Sequence, residues 1–151
     1  MGKIIADIAS TTAIGFDTAP LIYYFERHPI FFPTIEPVIR WVEQREAVAI
    51  YTSVVSLIET TIFPLRQGRD DLVTQYRQAL LHSSDVYTLP LDADIAQRAA
   101  QLRADYNLRT PDAIQLATCI HAKCDVFITN DQEFRSVKEI PILYLTDYVS
   151  A

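Results

Sequence analysis

Short apolar runs alternate along this chain with longer segments whose apolar residues recur every three or four positions. The runs are TTAIGFD (11–17), AVAIYTS (47–53), DVYTLP (85–90), CDVFIT (124–129) and IPILYL (140–145), each of strand length. The intervening segments read as helices. LIYYFE follows Pro20, a residue suited to a first helical position, and IEPVIRWVEQ from Thr34 places Ile35, Val38, Ile39 and Val42 on one side. VSLIETTIFPLRQG runs to about Gly68, with Pro64 either kinking or ending it, and DDLVTQYRQALLHS (70–83) follows. LDADIAQRAAQLRADYN has Asp92 as its N-cap, and a last helix over 111–123 has Thr110 as its cap. HPIFFP is read as a loop and NDQEF as a turn or short helix. Strands alternating with helices imply an α/β fold, a three-layer α/β/α sandwich with a mostly parallel central sheet, in one domain spanning 1–151. Ligands of such sheets bind beyond the carboxyl ends of the strands, so the residues just after strands and at helix starts are the ones to inspect.

Composition removes several function classes. With 3 glycines, neither a phosphate-cradling P-loop nor a dinucleotide fingerprint can be written. His28, His82 and His121 have no Ser or Cys partner in sequence that suggests a triad. Cys119 and Cys124 are too few for a structural zinc site, and His121 between them does not share their helical face; they read as buried thiols. No apolar run reaches membrane-spanning length, the start of the chain lacks the apolar core of a secretory signal, and Ala6 stands where myristoylation after Gly2 wants Ser or Thr. The expected location is cytoplasmic. A net charge of −6 argues against a broad basic surface for nucleic acid. It leaves room for an enzyme that meets phosphates through cations held by its own carboxylates.

Four carboxylates sit at the positions worth inspecting. Asp17 closes the first run, Glu59 lies in the helix after the second, Asp112 is in the first turn of the 111–123 helix, and Asp131 follows the fourth run. Their surroundings, GFDTAP, SLIETT, TPDAIQ and ITNDQE, are apolar or small rather than rich in Lys and Arg. Each has a plain alternative: Asp17 and Asp131 as turn formers, Glu59 as a solvated helix position, Asp112 as a mere helix-terminus charge; the helix dipole, by keeping Asp112 ionised, favours it as a metal ligand. If they converge, repulsion is large. Two carboxylates ~5 Å apart repel by roughly 3 kcal/mol at an effective dielectric near 20, so protons or a cation must offset them. An all-oxygen donor set suits Mg²⁺ or Mn²⁺.

The stretches FDTAPLIYYFE, SVVSLIETT and TPDAIQLATCIHAKCDVFITND, with Phe134 just beyond, resemble in order and spacing the PIN-domain family, and within it the VapC-like ribonuclease toxins of toxin–antitoxin modules. The resemblance covers roughly residues 12–145. It implies metal-dependent endoribonuclease activity with Mg²⁺ or Mn²⁺. Asp17, Glu59, Asp112 and Asp131 would be the acidic ligands, and Thr18, Thr129 and Asn130 residues that order the site. It also implies an RNA substrate, a cognate antitoxin, a homodimer and no membrane association. Two features depart from the family: the lead KIIADIASTT before the first strand, and Asp147 in YLTD, which competes with Asp131 for the fourth acidic place. Arg27, Arg66, Arg69 and Arg109 are the expected phosphate-facing cations, and the aromatic group Tyr23, Tyr24, Phe25, Phe31 and Phe32 is expected to pack rather than stack on bases. A catalytically silent fold of the same type, serving as an RNA-binding or interaction module, is the alternative. A phosphate-signalling receiver is disfavoured, because FDTAP lacks an acidic pair and LYLTD is not followed by a Lys.

Overall fold

The computed structural model describes residues 2–149; Met1, Ser150 and Ala151, the ends of the expected 1–151 domain, lie outside the described residues. Its five strands are β1 (Ala13–Phe16), β2 (Ala49–Ser53), β3 (Val86–Leu89), β4 (Val126–Thr129) and β5 (Ile142–Tyr144), all paired in parallel in the order β3-β2-β1-β4-β5. Seven helices connect or precede them: α1 (Gly2–Ile8), α2 (Thr18–Phe25), α3 (Phe32–Glu43), α4 (Val55–Arg66), α5 (Asp70–Leu81), α6 (Ala93–Tyr106) and α7 (Thr110–His121). A 3-10 turn over Gln132–Phe134 and another over Leu145–Tyr148 follow β4 and β5. This is the expected α/β/α sandwich, with a sheet that is wholly rather than mostly parallel.

Alternation along β1 and β4 splits the core between the two faces of the sheet. Ile14, Phe16, Val126 and Ile128 pack with Ile35, Val38, Trp41 and Val42 of α3 and with Ile4 and Ile8 of α1. On the other face Phe127 packs with Leu116, Ala117 and Cys119 of α7 and Leu102 of α6. Gly15 is required on that face, because a Cβ there would stand 2.0 Å from Cys119 Sγ. Helix α7 therefore rests directly on β1, which fixes the height of its first turn above the sheet edge. Cys119 and Cys124 are unpaired thiols, the first buried.

Several boundaries differ from the sequence reading. Residues Gly2–Ile8 of the lead form a helix whose Ile4 and Ile8 are buried. Helix α2 starts at Thr18, not after Pro20, and α3 starts at Phe32, inside the expected loop. Pro64 neither ends nor precedes the end of α4 at Arg66 by more than two residues; the chain turns out at Gly68, whose φ of 67° suits glycine. Helix α7 begins at Thr110, with Arg109 at the cap position and no side-chain cap; the Thr110 hydroxyl accepts from Arg103 Nη1 instead.

Candidate active site

The strand order reverses between β1 and β4. The chain moves outward from β1 to β2 and β3, then returns through α6 and α7 to lay β4 on the free side of β1. Strands splay at such a switch point, and a cleft opens at their carboxyl ends. Crossover helices run antiparallel to the strands, so their early turns lie at the same edge. Asp17 follows β1, Asp131 follows β4, Asp112 lies in the first turn of α7 and Glu59 in the second turn of α4. All four line one open cleft, together with Thr18, Tyr23, Arg109, Asn130 and a further carboxylate that the sequence did not suggest, Glu133. Asp147 does not line it; it pairs with Arg135 at 3.2 Å.

Hydrogen bonds hold the carboxylates from beneath. Asp17, 7% exposed, is the N-cap of α2: its Oδ1 accepts from the Thr18 backbone N–H at 2.9 Å and its Oδ2 from Thr129 Oγ1 at 2.7 Å. Thr18 also donates its hydroxyl to Glu59 Oε1 at 2.7 Å. Thr129 Oγ1 accepts from the Asp131 backbone N–H at 3.1 Å, while Asp131 Oδ1 caps the following 3-10 turn through Glu133 N–H at 2.9 Å. Asn130 ties α2 to the last 3-10 turn, donating to Tyr23 Oη at 3.3 Å and accepting from Thr146 N–H at 2.9 Å.

Electrostatics in the cleft oppose its own charge. Burial pushes the Asp17 carboxyl up to about 6; the bonds from Thr129 and Thr18 work against this, and the charges of Asp112 and Glu59 add to it. Asp112 is also raised, chiefly by burial, with Arg109 pulling it back. The helix dipole therefore does not alone decide the charge of Asp112. Arg109 Nε donates to Asp112 Oδ2 at 3.1 Å, and its Nη2 stands 3.9 Å from Asp131 Oδ2. The other arginines expected at the site are elsewhere. Arg27 lies over Phe32, Arg66 over Phe63, and Arg69 faces Glu26 at 3.9 Å. The aromatic group packs α2 against α3, with Tyr23 stacked on Phe31 at 4.7 Å, and only Tyr23 of it reaches the cleft.

Among the described residues no three Asp, Glu, His or Cys side chains are gathered into a ready-made ion cage. A dedicated cage is not what Mg²⁺ requires: it keeps several waters and takes one or two carboxylates plus substrate phosphates. Five carboxylates line the open cleft, the four expected ones and Glu133, and with oxygen as the donor throughout they fit such a cation in kind. The residues able to hold it are Asp17, Asp112, Asp131 and Glu59. The sequence reading did not single out Gln115, Thr52 or Ser56, which form a buried polar cluster behind Thr18. A lone Gln inside the apolar run DAIQLATC was its one visible trace.

The PIN domain family model matches residues 14–140. No curated protein sequence matches the chain. Among solved structures, a toxin–antitoxin complex from Klebsiella pneumoniae contains a chain 24% identical, with a TM-score of 0.66 over 89% of this chain and 98% of that one. VapBC2 from Rickettsia felis, bound to a DNA fragment from its promoter, matches at 13% identity and a TM-score of 0.70, covering 88% and 98%. VapC20 of Mycobacterium tuberculosis, a sarcin-ricin loop cleaving toxin, matches at 16% and 0.67, covering 86% and 99%. At these identities the likeness is one of fold.

Proposed function

The chain belongs to the PIN domain family, and from that premise we propose that it is a divalent-cation-dependent endoribonuclease, the toxin of a toxin–antitoxin module, hydrolysing RNA phosphodiester bonds. The observation that carries this reading is the convergence of Asp17, Glu59, Asp112 and Asp131 from four separate segments on one cleft. A fold does not gather four carboxylates around a partly desolvated edge without something to offset them. We assign Mg²⁺ or Mn²⁺ as the offsetting cation, which when bound lowers the pKa of a water and stabilises charge at an attacked phosphorus.

The chain's own residues then have distinct tasks. Asp17, Asp112, Asp131 and Glu59 supply the oxygen ligands. Thr18 and Thr129 hold Glu59 and Asp17 in fixed orientation, as hydroxyl donors to ligating carboxylates do. Asn130 keeps the segment after β4 against Tyr23. Burial favours the proton on Asp17, so below about pH 6 a cation held at that carboxyl would have to displace it. Arg109, whose side chain is 75% exposed, is free to turn from Asp112 toward a phosphate oxygen of the RNA.

The partners follow from the same reading: an RNA substrate, a cognate antitoxin of the kind that accompanies the toxin–antitoxin neighbours, and a second copy of the chain as a homodimer. No helix among the described residues is long and apolar enough to cross a membrane, and we place the protein in the cytoplasm as a single PIN-like domain over 1–151. The silent-module alternative is disfavoured by the full set of four carboxylates and their intact hydroxyl partners. Expressing the chain and its Asp112→Asn variant in cells and mapping the ends of cellular RNA tests the proposal. New ends specific to the unaltered chain are expected; identical RNA profiles would leave the silent module standing.

A further inference from the structure

We propose that Gln115 is a positioning residue that sets the direction of the Thr18 hydroxyl and through it holds Glu59 in the cleft. Gln115 is 1% exposed, in the second turn of α7, on the side facing β2 and away from bulk water. A buried amide must satisfy both its carbonyl oxygen and its two N–H groups, and its orientation is decided by any neighbour that can only donate. Ser53 supplies that neighbour. Its backbone N–H stands 3.2 Å from Gln115 Oε1 and can do nothing but donate. The amide nitrogen is therefore turned the other way, toward Ser56 Oγ at 2.6 Å and Thr18 Oγ1 at 3.1 Å.

Proton accounting then runs outward to the site. Nε2 has two hydrogens and spends them on Ser56 and Thr18. The Thr18 oxygen thus accepts from Gln115, and its one hydrogen remains for Glu59 Oε1, 2.7 Å away. Ser56 alone would not give this result, because two hydroxyls 3.0 Å apart can donate in either direction. The chain from Ser53 N–H through Gln115 and Thr18 to Glu59 is polarised at both ends, by a backbone group that only donates and a carboxylate that only accepts. A hydrogen bond to a carboxylate oxygen fixes the side chain's rotamer, which is what a ligating Glu needs from an outer partner.

This role rests on the cation reading of the cleft, and the test separates the two. Mn²⁺ binding is measured by calorimetry, with melting temperatures alongside, for the unaltered chain, Gln115→Glu, Gln115→Met, Thr18→Val and the double variants. Gln115→Glu puts an acceptor where the donor was and draws the Thr18 proton inward; Gln115→Met removes the amide without burying a charge and keeps the test open if the first variant does not fold. Each single change is expected to weaken Mn²⁺ binding by about tenfold or more, as loss of an outer partner of a ligand does. Adding a Gln115 change to Thr18→Val is expected to weaken it no further, since the path to Glu59 is already cut, while losses in melting temperature still accumulate. Unchanged Mn²⁺ affinity in a folded Gln115 variant, or losses that multiply in the double variant, overturns the positioning role while the cation reading stands. No Mn²⁺ binding by the unaltered chain overturns the cation reading, and this role with it.

Discussion

Thr129 Oγ1 and Asp17 Oδ2 are joined by a 2.7 Å hydrogen bond across the switch point, between the ends of the two strands that flank it. Both residues are buried, so neither oxygen has bulk water as a substitute. Replacing Thr129 by Val keeps the shape and removes both the donor to Asp17 and the acceptor of the Asp131 N–H, of which only the first depends on the charge of Asp17. At pH 7, where Asp17 is mostly charged, the change is expected to cost about 1–3 kcal/mol of stability. At pH 4, where the carboxyl is mostly protonated, the cost is expected to be smaller. Urea denaturation at the two pH values measures both; equal losses would contradict a bond made to a charge.

The pH dependence of the cation-free protein has a definite sign. Asp17 is pushed up to about 6 from an ordinary 3.8, so between those values the folded protein holds a proton that the unfolded chain has released. Stability is then greatest below about pH 4 as far as this group is concerned, and falls as pH rises through about 6, by up to ~3 kcal/mol in total. Asp112, raised by burial, acts in the same direction. Denaturation of chelator-treated protein across this range is expected to show the fall, and Asp17→Asn to flatten most of it. A stability that climbs over the same range in the unaltered chain, but not in Asp17→Asn, would reverse the argument.

Asp112→Asn separates a ligand from a helix-terminus charge. Burial already disfavours the charged form of Asp112, and its ion pair with Arg109 is to a largely exposed partner, so the pair contributes little. The cation-free variant is expected to be as stable as the unaltered chain or more so, and to gain less melting temperature from added Mg²⁺. A structural Asp112 would give the reverse: a loss of up to about 1 kcal/mol and the same response to Mg²⁺.

Much of the fold was open to inspection in the residues. The continuous run VFIT in CDVFIT and the β-branched AVAIYTS read as buried strands because a parallel sheet covered on both faces demands near-continuous apolar runs. Helix α1 was not readable, because a seven-residue helix with two buried isoleucines gains its stability only from the α3 and sheet surface it meets. The start of α2 was misplaced for a related reason: Pro20 suggests a first position, but Asp17 caps the helix and it starts at Thr18, two residues before Pro20. Strand ends and helix starts located the four carboxylates on one edge, since parallel topology leaves few other arrangements. The arginines were misjudged because nearness in sequence to a site element says nothing about direction; Arg27 and Arg69, in the turns after α2 and before α5, belong to the α2–α5 side. The Gln115 cluster joins β2, α2, α4 and α7, and no local pattern announces a contact between residues 18 and 115.

Arg109 is the cleft's one lining arginine among the described residues, in a chain of net charge −6. RNA binding is therefore expected to depend weakly on salt, with Arg109→Gln reducing the slope of log affinity against log salt by about 0.7, the value for one phosphate contact with a single strand. Filter binding to a short RNA at several salt concentrations, using Asp112→Asn protein to prevent turnover, gives the slope. A steep slope untouched by Arg109→Gln would locate the RNA on another surface.

The most direct test of the central claim is the rate at which purified protein cleaves a structured RNA as free Mg²⁺ is titrated, with Asp17→Asn alongside. The account expects cleavage at discrete positions that rises with Mg²⁺, stops in excess chelator and returns when Mg²⁺ or Mn²⁺ is restored, with Asp17→Asn reduced by two orders of magnitude or more, roughly the scale set by losing a group that stabilises transition-state charge. Undiminished cleavage in excess chelator, or full activity in Asp17→Asn, would contradict it.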